Sequence, residues 1–234
     1  MDQARPPRPA KRADFEIAVI CALTLEADAV DALLDHHWDD DDAPPYGKAD
    51  DDPNAYTVHA ATMAVNCRKS FPNVKLALVV GICGAVPFYG PDNAEIILGD
   101  VIISDGVIQY DFGRRLPERF VRKDTLLDAL GRPSTEVRAL LAKLKGRHGR
   151  KKLRETVARY MDVLRAEPDL AASYPGTTQD RLFEATYRHV DDKMLCKECG
   201  CSGKLVPHKR LGGEGIPPQP VIHFGLIASG DAVI

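Results

Sequence analysis

The 234-residue chain has no apolar run long enough to cross a bilayer as a helix. Its longest apolar stretch, Leu76 to Phe88, holds 13 residues and is broken by Gly and Pro. A spanning helix needs ~20. An excess of one charge is also missing. Lys and Arg number 31 against 34 Asp and Glu, a net charge of -3. That balance gives no whole-chain argument for nucleic acid, whose binders carry a basic excess. A secretory leader is missing too: the opening MDQARPPRPAKRA is basic but no apolar core follows it. There is no internal repeat. The six cysteines, three of them in apolar strand-like runs, suit buried thiols in a reducing compartment. These absences predict a cytoplasmic protein without membrane or nucleic-acid partners.

What is present fits one α/β domain better than two. Apolar residues make up 44% and charged residues 28%, enough for a sizeable core on an ordinary soluble surface. Residues 1–13 read as a disordered basic tail, and residues 14–234 as the domain. FEIAVIC, from Phe15 to Cys21, is β-branched and almost wholly apolar, as in a strand covered on both faces. The TLEADAVDALLD that follows places Leu25, Val30, Leu33 and Leu34 on one helical face. Thr24 is its candidate cap, with Glu26 and Asp28 in the acidic first turn. Residues 35–54 are acidic and Pro-rich and read as a solvated loop, without the Gly and terminal Glu spacing of a calcium loop. VKLALVVG, Val74 to Gly81, is the strongest buried-strand signal, and it runs into the Gly/Pro-rich ICGAVPFYGPDN. DVIIS, Asp100 to Ser104, is a third strand, continued after a turn by Val107 to Tyr110.

Two helical patterns occupy residues 132–165. One carries Val137, Leu140, Leu141 and Leu144 behind Ser134. The other carries Leu153, Val157, Tyr160, Met161 and Leu164. GRHGRKK separates them and reads as linker plus solvated helix face. Residues 170–219 are irregular, and Val221 to Ile227 forms a last buried strand. Buried strands interleaved with helices predict an α/β fold, its mainly parallel or mixed central sheet flanked by helices. Within the irregular stretch, Cys196, Cys199 and Cys201 lie near His189 and His208. CxxC spacing can set two thiolates on one metal. A strong zinc signature has a second matched pair, and none is present. The expectation is free thiols, with no metal and no cofactor. Asp111 and His189 are isolated polar residues to which no role is assigned.

Four segments fall in an order that resembles the nucleoside phosphorylase superfamily. They are IAVICALTLEADAV (17–30), LVVGICGAVP (78–87), LGDVIISDGVIQYDFG (98–113) and IASGDAVI (227–234). The wording VVGICG, LGDVIISDG and YDFGR is most similar to a domain at the N-terminus of large fungal proteins, often followed by nucleotide-binding or repeat modules. The resemblance covers most of residues 14–234. It implies a phosphorylase-like fold and cleavage of the N-glycosidic bond of purine or other nucleosides. That chemistry needs a placed nucleophile, a protonated leaving base and a held ribose.

Residue by residue, the resemblance implies that Glu26 holds the attacking water. Gly81, Ile82, Cys83 and Gly84 would present backbone N–H groups to nucleophile and ribose, since glycine lets the backbone come close. Ser229, Gly230, Asp231, Ala232, Val233 and Ile234 would line the base pocket. Gly99, Asp100 and Asp105 would be structural. Ile82 stands where phosphorylases carry Ser or Thr, and cannot donate a hydrogen bond to phosphate. No Arg lies near Val79. Both departures favour hydrolysis or no catalysis. The family's ribose-binding Glu and base-protonating Asp come after its SGD segment and find no counterpart here. A strand and Gly-rich segment near residues 55–65 are also short. The expectation is a truncated domain, incomplete at its C-terminus, with weak or absent turnover. Its partner would be a nucleoside-type small molecule, and a homo-oligomer is a further expectation, because family members commonly pair. The alternative is a non-catalytic nucleoside-sensing or interaction module of a larger signalling protein.

Overall fold

A computed structural model describes residues 9–34, 50, 67–110, 113–122, 133–170, 172–174, 176–191, 193–196, 198–211 and 218–229. The chain divides into two compact units, Met1–Gly84 with Ala158–Ala172, and Ala85–Val157 with Ser173–Ile234. Helices combine with small parallel and antiparallel sheets, so the class is α/β. The single central sheet expected from the sequence is replaced, among the described residues, by four two-stranded sheets. No helix among these residues is long and apolar enough to cross a membrane.

In the first unit, β1 (Ile17–Cys21) pairs in parallel with β2 (Leu76–Val80), Ile17 opposite Leu76 and Cys21 opposite Val80. β1 runs into α1 (Thr24–Asp31). Phe15 and Phe71 meet edge to face at 5.4 Å. Asn73 Nδ2 donates to the Ala13 carbonyl at 2.7 Å. Of the tail expected over residues 1–13, residues 1–8 lie outside the described ones, and Arg12–Asp14 form a 3-10 turn.

The buried-strand expectation needs correcting here. Ile20 is buried at 6% exposure, but Val79 is 75% exposed and Ile17 61%. A β-branched run signals strand-forming residues, not the layers that cover them. On α1, Thr24 is the first helical residue rather than the cap. Leu23 occupies the cap position in extended conformation. Leu25 and Leu34 face solvent, while Val30 and Leu33 are half-buried.

In the second unit, β5 (Val101–Gln109) pairs in parallel with β8 (Ile222–Ser229), from Val101 opposite Ile222 to Gln109 opposite Ser229. The turn expected inside β5 is a bulge instead. Register shifts between Ser104 and Gly106, where the Ser104 hydroxyl bridges the Gly106 N–H and carbonyl at 3.2 and 2.9 Å. A side-chain hydroxyl that satisfies the loosened backbone lets one strand continue through the irregularity. β3 (Phe88–Tyr89) and β4 (Ala94–Glu95) form a short hairpin. Its turn holds Gly90 at φ 71° and Asn93 at φ 48°, the left-handed region these residue types tolerate best. β6 (Gly113–Arg115) pairs antiparallel with β7 (Phe120–Arg122).

α2 (Thr135–Lys145) starts as the sequence predicts, with the Ser134 hydroxyl accepting from the Val137 N–H at 3.3 Å. At its other end, Lys145 Nζ donates to Asp105 at 2.7 Å and lies over the Phe224 ring. α3 (Arg147–Ala166) begins earlier than expected, so the basic GRHGRKK stretch is mostly helix. Leu153, Val157, Met161 and Leu164 are its half-buried stripe, at the spacing of one helical face.

Candidate functional site

The first candidate lies in the first unit, at the C-terminal ends of β1 and β2. In parallel α/β folds, loops at these ends face ligands. Glu26 is the third residue of α1 and is 8% exposed. Its Oε2 accepts from the N–H groups of Ala22 at 2.9 Å and Leu23 at 3.0 Å. Its Oε1 accepts from the Ile82 N–H at 2.8 Å. The Leu23 contact is half of a capping box: an acid at the third helical position satisfies an N–H left over at the helix start. The Ile82 contact joins the two strand ends. Gly81 passes so close that an added Cβ would stand 3.0 Å from Glu26 Oε1.

The Glu26 carboxyl is held below its ordinary range. The largest cause is the Ile82 N–H, followed by Leu23; burial opposes them, and Ala22 adds to the lowering. A carboxylate stabilised in this way is a poor proton acceptor. Its geometry is that of a clamp between the β1 and β2 loops. Gly81, Ile82, Cys83 and Gly84 are all exposed, with Ile82 at 75%.

Glu26→Gln puts an amide NH₂, which cannot accept, where one oxygen now does. The expected outcome is faster amide hydrogen exchange at Ala22, Leu23 or Ile82, with the β5–β8 amides unchanged. Unaltered exchange at all three would show that the clamp carries no stability. The pH dependence has a definite sign. The folded form binds a proton at Glu26 less readily than the unfolded form. The clamp's contribution is therefore complete above the ordinary carboxylate pKa and fades as pH falls through the lowered one.

The residues expected at the base pocket divide. Ser229 ends β8, its backbone opposite Gln109. Gly230, Asp231, Ala232, Val233 and Ile234 lie outside the described residues, as do Asp111 and residues 51–66. Ser229 belongs to the second unit and Glu26 to the first.

A second constellation in the second unit went unread in the sequence apart from Asp100. The Asp100 side chain is 1% exposed. Arg210 grips it with both Nη atoms, Nη2 at 3.0 Å from Oδ1. The N–H groups of Val221 and Ile97 donate to it at 2.8 and 3.1 Å. His223 Nε2 lies 2.9 Å from Oδ2. With that nitrogen donating, Nδ1 is left to accept from the Tyr89 hydroxyl at 2.9 Å.

Beside this group, Glu95 accepts from the Lys209 and Arg210 N–H groups at 3.0 and 2.8 Å. His208 Nδ1 is 2.9 Å from Glu95, and His208 Nε2 is 3.4 Å from Asp180. Burial pushes both acids up. For Asp100 the Arg210 guanidinium, Val221 N–H and His223 outweigh it. For Glu95 the Lys209 N–H, His208 and the Arg210 N–H do so. Both end below their ordinary values. The sequence placed Asp100 as structural, and its contacts are of that kind. One signal for the rest was visible: His223 sits in an otherwise apolar strand, and a buried imidazole needs a partner.

No family model matches the chain, and no solved structure matches it. A nucleotide-binding leucine-rich repeat (NLR)-like protein of Hyaloscypha variabilis is 28% identical over 247 residues, covering 94% of this chain and 22% of that protein. The chain thus spans about a fifth of the length of this relative. These findings overturn membership of the nucleoside phosphorylase superfamily. The description of this relative, which aligns with nearly the whole chain, is of another kind of protein. The four segments that suggested the superfamily are short strand-and-loop phrases rich in Val, Ile, Gly and Asp, which many parallel strand ends share.

Proposed function

We propose that this chain is a non-catalytic nucleoside-sensing or interaction module of a larger intracellular signalling protein. The observation that carries it is the commitment of Glu26. The one acid placed to activate a nucleophile is tied to three backbone N–H groups across two loops. Its carboxylate is stabilised as an anion and works as a brace. Near it, the exposed Gly81–Gly84 loop offers backbone at a strand end, the position from which parallel α/β folds contact small molecules.

Alignment of 94% of the chain to 22% of a larger protein supports the modular context. Ile17, Val19 and, opposite Val19, Leu78 are all exposed on one face of the β1–β2 pair. Such a contiguous apolar surface marks an interaction site more often than bare solvent contact. Cys21, Cys83, Cys196, Cys199 and Cys201 are free thiols, as suits a reducing compartment.

Thermal melting of the purified chain with a panel of purine and pyrimidine nucleosides, paired with chromatography for free base, tests the proposal. A nucleoside at a hundred times its Kd should add about 2.7 kcal/mol of stability and be recovered intact. Base release abolished by Glu26→Ala would overturn the non-catalytic assignment. Absence of stabilisation by every nucleoside would remove the sensing role.

A further inference from the structure

The geometry points to a structural zinc site formed by His189, Cys196, Cys199 and Cys201. The sequence offered a single CxxC without a second pair. The fold supplies what the spacing lacked. His189 Nε2 lies 3.5 Å from Cys199 Sγ, and Cys199 Sγ lies 3.3 Å from Cys201 Sγ. All three ligand atoms fall within 4.8 Å of one another. Cys196 is tied to Cys201 through its backbone, its carbonyl accepting from the Cys201 N–H at 3.2 Å, and its thiol would complete the set by side-chain rotation.

Around a tetrahedral zinc, with Zn–S about 2.3 Å and Zn–N about 2.0–2.1 Å, two sulfurs stand about 3.8 Å apart and a sulfur and nitrogen about 3.6 Å. The His189–Cys199 spacing matches. The two sulfurs need to separate by about half an ångström, which small side-chain rotations supply. Three thiolates and one imidazole favour zinc over the oxygen-seeking Mg²⁺ and Ca²⁺.

The backbone is shaped for the purpose. Glu198 and Cys199 N–H groups both donate to the Leu195 carbonyl, at 2.8 and 3.1 Å, and the Cys201 N–H donates to the Cys196 carbonyl at 3.2 Å. Gly200 turns the chain at φ 67°, so the sulfurs on either side of it converge. Cys201 is 6% exposed. Arg181 Nη2 donates to its carbonyl at 3.0 Å, and the Tyr187 hydroxyl accepts from the neighbouring Ser202 N–H at 3.2 Å. Such outer contacts orient metal ligands and offset the charge of three thiolates. His208, the other imidazole near in sequence, is engaged by Glu95 and Asp180.

The site would close a stretch with little else to hold it. Phe183 and Leu205 form an isolated bridge, and Phe183 stacks on Tyr187 at 4.6 Å. Between them the chain has no regular element among the described residues. Metal binding there displaces the thiol protons to solvent and turns ligand affinity into folding energy.

The test is elemental analysis of the full chain purified without chelator from zinc-supplemented cells. One zinc per chain is expected for wild type and for Cys83→Ser, which alters an exposed thiol outside the cluster. Cys199→Ser with Cys201→Ser should carry none. Reconstitution of the wild-type chain with cobalt(II) should give thiolate charge-transfer absorption and the strong visible bands of a tetrahedral ion, altered by His189→Ala. This arm stands even where the double variant fails to fold. A metal-free wild type that also gives no such cobalt spectrum overturns the site, as does zinc retained at full occupancy by the double variant.

Discussion

Replacing Asp100 with Ala is expected to destabilise the second unit by about 3–5 kcal/mol, the cost of removing one partner from a buried ion pair. The side chain accepts from Arg210, His223 and the N–H groups of Val221 and Ile97. Truncation leaves a guanidinium facing a void and strips two backbone donors of their acceptor. His223, 7% exposed, loses the contact that fixes its ring, and the Tyr89 hydroxyl loses a fixed partner in turn. Small domains carry about 5–15 kcal/mol in all, so much of the unit's stability rides on this carboxylate. The urea midpoint of the variant, followed by circular dichroism, measures the loss. A shift no larger than that of a surface control such as Asp162→Ala would show that the network is incidental.

Acid should act on the same network with a definite sign. Asp100 and Glu95 both have pKa values below their ordinary ones in the folded protein. The unfolded chain therefore takes up protons first, beginning near pH 4. Stability from the two acids is complete above that point and is lost as pH falls through the lowered values. Where both titrate only in the unfolded state, the slope reaches about 2.7 kcal/mol per pH unit, about 1.4 from each. Denaturant midpoints measured from pH 6 down to pH 2.5 should show this slope. Glu95→Gln should remove about one proton's share of it. An unchanged slope in that variant would mean that Glu95 is not part of the acid response.

How much of this was legible in the sequence depended on distance along the chain. Local features came through. Ser134 caps α2, Ile17–Cys21 is a strand, and α1 carries its acid in the first turn. Each follows from residues a few positions apart. Pairings did not come through. Nothing in DVIIS announces that VIHFGLI lies beside it, because a strand's residues state a preference for extension and not for a neighbour.

Covering layers are equally hidden: VKLALVVG predicts a buried strand, yet Val79 is exposed. Glu26 stands out in the sequence, but its backbone partners do not. Its type and place signalled chemistry, whereas the three N–H groups that occupy it are backbone and carry no residue signature. The Arg210–Asp100 pair spans 110 positions, beyond any motif. The cysteine cluster was visible as spacing, and only the fold shows which histidine joins it.

The pairing of β5 with β8 also sets a schedule. Asp100 and Val221, bonded at the mouth of that sheet, are 121 positions apart. On the ribosome, Val101, Ile102, Ile103 and Val107 emerge long before the strand that will flank them. Through that interval they are exposed to misplaced partners. Closing so long a loop also slows the search for the native pairing. The arginine that pairs with Asp100 and the histidine beside it arrive in the same late portion of the chain. The yield of the second unit in cells should therefore depend on how well the nascent chain is guarded until residue 222 is out.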